Sequence, residues 1–140
     1  MKKNILLALM TISASAVSAE VELSCVDPVN TLMINHCATN ELKVAKAELA
    51  HYLQATLEHN SKDPVLLKSI KKAQQDWETY ATSHCDSIYT QWREGTIRGV
   101  MTINCQTQLN EQRTHELWKN FLTYMDSTPP VLPEPEKIRQ

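Results

Sequence analysis

Four cysteines, set in a helix-patterned chain behind an export-type leader, restrict what this sequence can become more than any other feature. Cys25, Cys37, Cys85 and Cys105 are the full complement. Ahead of them, Lys2 and Lys3 precede an apolar run from Ile5 to Met10 that continues through small residues to Val17. Val17-Ser18-Ala19 has the small-residue pattern of a signal-peptidase site, so residues 1–19 are expected to be a signal peptide cleaved after Ala19. The run falls short of the ~20 apolar residues that a comfortable membrane span requires. Glu22, three places before Cys25, does not suit lipoprotein acylation, so no membrane anchor is expected after cleavage. Thiols delivered to an oxidising compartment pair, and an even number leaves none over. Two disulfides and a periplasmic or secreted location follow as expectations.

The remaining chain, residues 20–140, has single-domain length, a size at which crosslinks help a modest core. Only two glycines occur, Gly95 and Gly99, and no β-rich stretch stands out. Of 14 basic residues, losing Lys2 and Lys3 leaves 12 against 16 acidic, a formal charge of −4. That balance argues against nucleic acid, which selects Lys/Arg-rich surfaces.

Apolar periodicity divides the chain into three helical segments. The first runs from about Asn30 to His59, with Ala38, Leu42, Ala45, Leu49, Tyr52, Leu53, Thr56 and Leu57 at three- and four-residue steps. Asn60-Ser61 is a turn signal, and Asp63-Pro64 opens the second helix as a cap followed by a first-turn proline. Leu66, Ile70, Ala73, Trp77, Ala81, Cys85, Ile88 and Trp92 form its apolar stripe, Gly95 is the expected stop, and Thr96 the expected cap of the third helix. Ile97, Met101, Cys105, Leu109, Leu117, Phe121 and Tyr124 continue the pattern. The expected fold is all-α: an antiparallel up-down-up three-helix bundle over residues 20–126, stabilised by two disulfides. Residues 127–140, with Pro129, Pro130, Pro133 and Pro135, are expected to form an extended, mobile tail.

In such a bundle all four cysteines share one end. Cys85 lies about two turns before Gly95 and Cys105 about two turns after Thr96, level across a helical hairpin at ~1.5 Å per residue. The favoured pairs are Cys85–Cys105 and Cys25–Cys37; Cys37–Cys85 with Cys25–Cys105 is the open alternative. His36-Cys37 and His84-Cys85 bring zinc-ligand types together, but adjacent helical residues diverge by ~100° and oxidation consumes the thiols. No metal and no cofactor are expected.

Catalytic chemistry finds no support. There is no strained nucleophile turn of the Gly-x-Ser-x-Gly type and no phosphate-cradling glycine loop. His51 and His59 fall on the first segment and His115 on the third, with no evident carboxylate partner. Three residues stand out as structural motif instead. Trp77 and Tyr80 sit one turn apart on the second helix, with Trp77 read as core. Arg113 interrupts the apolar stripe of the third helix and is read as a clamp, stacked on an aromatic ring or paired with an acid such as Glu41 or Glu116.

Taken together, these residues resemble the lysozyme inhibitor LprI-like family, in its N-terminal helical domain, from about Cys25 to Phe121. Met33-Ile34-Asn35-His36-Cys37-Ala38 is similar to the family's Met-Asn-x-Cys-Ala signature with one residue inserted. Glu41, Ala45, Glu48-Leu49 and Tyr52 fit its first helix; Ala73-Gln74, Trp77, Tyr80 and Cys85 match its Ala-Gln-x-x-Trp-x-x-Tyr…Cys block. Gly95-Thr96, Cys105, Leu109, Arg113-Thr114 and Glu116-Leu117 match the closing block. Ala81 and Lys46 depart from it, standing where the family often has arginine and an acid. The resemblance implies an exported, disulfide-stabilised helical domain whose partner is lysozyme, blocked at its substrate cleft by the bundle surface. The alternative is a non-enzymatic envelope module that engages another envelope protein and makes no lysozyme contact. The turn from Arg93 to Gly99 and the start of the first helix are the expected contact regions.

Overall fold

The structure, a computed structural model, describes residues 25–135. The expected signal peptide lies outside the described residues, as do residues 20–24 and 136–140. Three helices follow in order: α1 (Thr31–His59), α2 (Pro64–Gln91) and α3 (Arg98–Phe121), with no strand among the described residues.

Local chemistry sets most of these boundaries. Asn30 caps α1 by accepting from the Met33 N–H at 3.0 Å. At the other end, the backbone and side-chain nitrogens of Asn60 both donate to the Thr56 carbonyl, at 3.2 and 2.8 Å. These bonds satisfy groups that a helix end leaves open. Asp63 then caps α2, its carboxylate accepting from the Val65 and Leu66 N–H groups at 3.0 and 2.9 Å, with Pro64 in the first turn. The second connection departs from expectation. α2 ends at Gln91, before Gly95 is reached, and no described residue has a positive φ. Thr96 does not cap α3: Ile97 holds that position, without a side-chain hydrogen bond. The turn is instead closed through the backbone, the Gly95 N–H donating to the Trp92 carbonyl at 2.8 Å.

α3 is the central element and packs along both α1 and α2. Its direction follows from contacts at either end. Cys85 is bonded to Cys105, and Gln74 meets Arg113, so α2 and α3 run antiparallel. A Cβ on Gly99 would lie 3.5 Å from Asn35 Oδ1, while the rings of His59 and Tyr124 sit 6.0 Å apart. α1 and α3 therefore run the same way.

The α1 stripe is buried as its spacing predicts: Ala38, Leu42, Ala45, Leu49, Tyr52 and Thr56 all face the core. On α2 the stripe is buried only in part. Ile70 and Cys85 are covered, Ala73 is exposed, and Gln74 takes an inward position instead. A helix that packs against essentially one neighbour covers a narrower strip than a bundle core would. α3, touched on two sides, buries Asn110, Thr114 and Leu117. Its buried polar groups are paired along the helix: Thr114 Oγ1 donates to the Asn110 carbonyl at 2.9 Å and Asn110 Nδ2 to the Gln106 carbonyl at 2.7 Å. Such pairing removes most of the penalty for burying a hydroxyl or amide.

The tail from residue 127, expected to be extended and mobile, does not run free of the helices as far as Pro135. It turns back and lies against α1 and α3. The Val131 N–H donates to the Leu122 carbonyl at 2.8 Å, Trp118 Nε1 to the Leu132 carbonyl at 3.0 Å, and the Tyr52 hydroxyl to the Pro133 carbonyl at 2.8 Å. Leu122 is fully buried and Pro135 is buried. Composition suggested freedom; the tail's carbonyls, which prolines leave available, find fixed donors on two helices.

Candidate interaction surface

The disulfides join Cys25 to Cys37 and Cys85 to Cys105, with Cα–Cα distances of 5.6 and 5.7 Å. They do different work. Cys85–Cys105 crosslinks α2 to α3, with Cys85 wholly buried. Cys25–Cys37 ties the exposed approach to α1 onto the second turn of that helix. Both lie toward the end of the bundle that carries the α2–α3 turn.

Arg113 is the polar link between α2 and α3. Its Nε donates to Gln74 Oε1 at 3.1 Å and Nη1 to Glu116 Oε2 at 3.1 Å. Its side chain is only 12% exposed. Glu116 supplies the carboxylate, and Glu41 has no part in it. Gln74 Nε2 in turn donates to Glu78 Oε1 at 3.2 Å, giving a chain Glu78–Gln74–Arg113–Glu116 that crosses between the helices. Arg113 is therefore engaged within the fold. Trp77 is half-buried, consistent with a packing role, whereas Tyr80 is 55% exposed and stacks on His84 with ring centroids 5.5 Å apart.

Beyond Tyr80, large apolar side chains collect at the same end of the molecule. Tyr89, Trp92 and Ile97 are exposed around the α2–α3 turn, and Val29 and Leu32 at the approach to α1. The Asn35–Gly99 approach brings the two regions to one end. Arg98 lies over the Tyr89 ring, 5.3 Å from its centroid, and its Nη1 donates to the Arg93 carbonyl at 3.2 Å. The guanidinium thus fixes the turn and presents a cation beside aromatic surface. Sequence reasoning placed candidate contacts in this turn and at the start of α1, but it did not single out Tyr89, Trp92 or Arg98. Trp92 read as core, because its spacing continued the α2 stripe; its N–H still donates to the Ile88 carbonyl at 3.1 Å, yet the side chain is 38% exposed at the end of the helix.

No group of three or more His, Cys, Asp or Glu residues able to hold a metal occurs among the described residues. His36 bonds to Asn40 at 3.1 Å and His84 stacks on Tyr80, so neither joins its neighbouring cystine in a ligand set. Tyr52 and Asp126 both bear on the tail. Burial, with a smaller contribution from the Glu48 charge, raises the Tyr52 phenol above its ordinary value. Hydrogen bonds from the Thr128 side chain and backbone lower the Asp126 carboxyl. Among the described residues no helix is long and apolar enough to cross a membrane.

A protein of Rhizobium meliloti (strain 1021), described as uncharacterized protein R02472, is 26% identical over 120 residues, covering 78% of this chain and 86% of its own. No solved structure matches. The model of the lysozyme inhibitor LprI family matches residues 25–117, from the first cysteine to the buried Leu117, and the chain belongs to that family.

Proposed function

We propose that this protein is an exported, non-catalytic inhibitor that binds a lysozyme-type muramidase with the disulfide-pinned end of its bundle. The observation that carries the reading is the family match across residues 25–117, which contains both disulfides and all three helices but for the last turn of α3. The site is assigned to Tyr89, Trp92, Ile97 and Arg98, with Leu32 at the edge. Protein interfaces draw most of their energy from a few Trp, Tyr and Arg side chains on a surface already held in shape. Here the disulfides hold the surface and Arg98 fixes the turn. The formal charge of −4 on residues 20–140 favours approach to a basic enzyme and makes association fall with salt. Crosslinks between cysteines and a leader of the signal-peptide type support a periplasmic or secreted site of action.

The test is a cell-wall lysis assay with the oxidised protein in molar excess over several lysozyme types. Protection should appear with at least one type and weaken tenfold or more for Trp92→Ala, with helicity unchanged. Absence of protection against every type at micromolar excess would remove this reading and leave the envelope-module alternative.

A further inference from the structure

The tail contacts describe more than a tidy C-terminus. They have the form of a bound peptide. Three successive residues of Val131-Leu132-Pro133-Glu134-Pro135 are held through groups that do not depend on their side chains: one N–H and two carbonyls. The donors to the carbonyls are an indole N–H on α3 and a phenol hydroxyl on α1, so the seat is a groove between two helices. Aromatic side chains that donate to the carbonyls of a proline-bearing strand are a recurrent way to recognise such peptides, because proline reduces the entropy lost on binding. A polar contact follows: His115 Nε2 lies 3.3 Å from Glu134 Oε1, and the His115 ring packs 5.3 Å from that of Trp118. Pro135 is buried beyond it. The segment that leads there, residues 124–130, is exposed throughout; within it Thr128 bonds to Asp126, its N–H reaching Oδ1 at 2.8 Å. Both the tail and Trp118 lie past residue 117, where the family match ends.

We propose that the groove between α1 and α3, formed by Tyr52, His115 and Trp118, is a peptide-binding site for an apolar–Pro–acid–Pro segment, and that the tail is its exchangeable occupant in cis. The trans ligand is a segment of another polypeptide with that pattern. A short tether holds the cis segment at an effective concentration on the order of millimolar, so a trans ligand of equal affinity is excluded at micromolar levels. The groove opens to partners when the tether is cut or the tail is drawn away. This inference is independent of lysozyme binding, which is assigned to the opposite end of the bundle.

The experiment uses the full chain with a protease site inserted after Ser127, and a fluorescent synthetic peptide of residues 128–140 as the probe. Anisotropy should show no binding to the uncut protein at micromolar concentration. The cut protein, with its released tail dialysed away, should bind the peptide saturably. Trp118→Phe should weaken that binding roughly 2- to 10-fold, the worth of one hydrogen-bond donor. Replacing Pro133 and Pro135 by alanine in the peptide should weaken it as well. Circular dichroism of the cut protein decides the remaining case. Loss of helix on cutting would make the tail an integral part of the fold and overturn the proposal. A cut tail that never exchanges, or a scrambled peptide that binds equally well, would overturn it too.

Discussion

Replacing Cys85 and Cys105 together by alanine should cost far more than the same change at Cys25 and Cys37. In the chain-entropy treatment, the 20-residue separation of the first pair is worth about 3 kcal/mol through its restriction of the unfolded chain. Cys85 is fully buried, and the loss of its sulfur leaves a small void costing about 1 kcal/mol more. With a urea dependence of roughly 1.5 kcal/mol/M for a domain of this size, the midpoint should fall by about 2–3 M. The 12-residue separation of Cys25–Cys37 gives nearly the same figure by loop length alone, about 2.8 kcal/mol. The structure argues for less. That bond ties down a surface stretch, residues 25–29, in which only Pro28 is half-buried, whereas Cys85–Cys105 joins two packed helices. When Cys25–Cys37 is absent the stretch loosens in the folded state as well, and much of the entropic penalty cancels. The expected midpoint shift is under half that of the other pair. Urea denaturation of both double variants, followed by far-ultraviolet circular dichroism, measures the difference. Equal shifts for the two pairs, or a shift below about 0.5 M for Cys85/Cys105, would refute the assignment of the inter-helix bond as the main staple.

Four further outcomes follow from the same contacts. Arg113→Met should cost about 1–3 kcal/mol in urea titration, because it leaves the Gln74 carbonyl oxygen buried without its donor. Tyr52→Phe should cost about 0.5–1.5 kcal/mol and speed hydrogen exchange in residues 131–135, since it removes the donor to Pro133. The raised Tyr52 phenol means that stability is fully present below the unfolded value near 10 and is lost as pH climbs through the higher folded value. Urea midpoints between about pH 9 and 11.5 should show that decline, and Tyr52→Phe should lack that part of it. Gly99→Ala should be tolerated or stabilising by up to about 1 kcal/mol, since its Cβ would meet Asn35 at an ordinary 3.5 Å while removing a glycine from a helix; a marked loss of thermal stability would contradict the helix spacing described.

What the sequence disclosed, it disclosed through local rules. The Asp63-Pro64 start, the α1 stripe and the level placement of Cys85 and Cys105 each depend on residues near one another in the chain, and all appear in the structure. Arg113 was legible as a clamp because a cation in an apolar stripe must be satisfied, though only the fold chooses Gln74 and Glu116 over Glu41. The misreadings share one cause. Whether Ala73 or Gln74 faces inward depends on how much of α2 is covered, and that is a property of α3. Trp92 was taken for core because it keeps the stripe's register, and periodicity does not announce how far along a helix its neighbour covers it. The tail was taken for a free linker because its partners, Tyr52 and Trp118, lie 81 and 14 residues away from the carbonyls they bind, and composition carries no record of such pairings.

The central position of α3 sets an order of events during synthesis. The helix on which both earlier ones depend is the last to be made. Until α3 has emerged, α1 and α2 have no common surface to close on, and until Cys105 is made Cys85 has no mate. A polypeptide with that dependency stays threadable for nearly its whole length. Under the export proposed above, such a chain would cross a narrow pore as a strand and condense only afterwards, its two disulfides fastening the finished bundle.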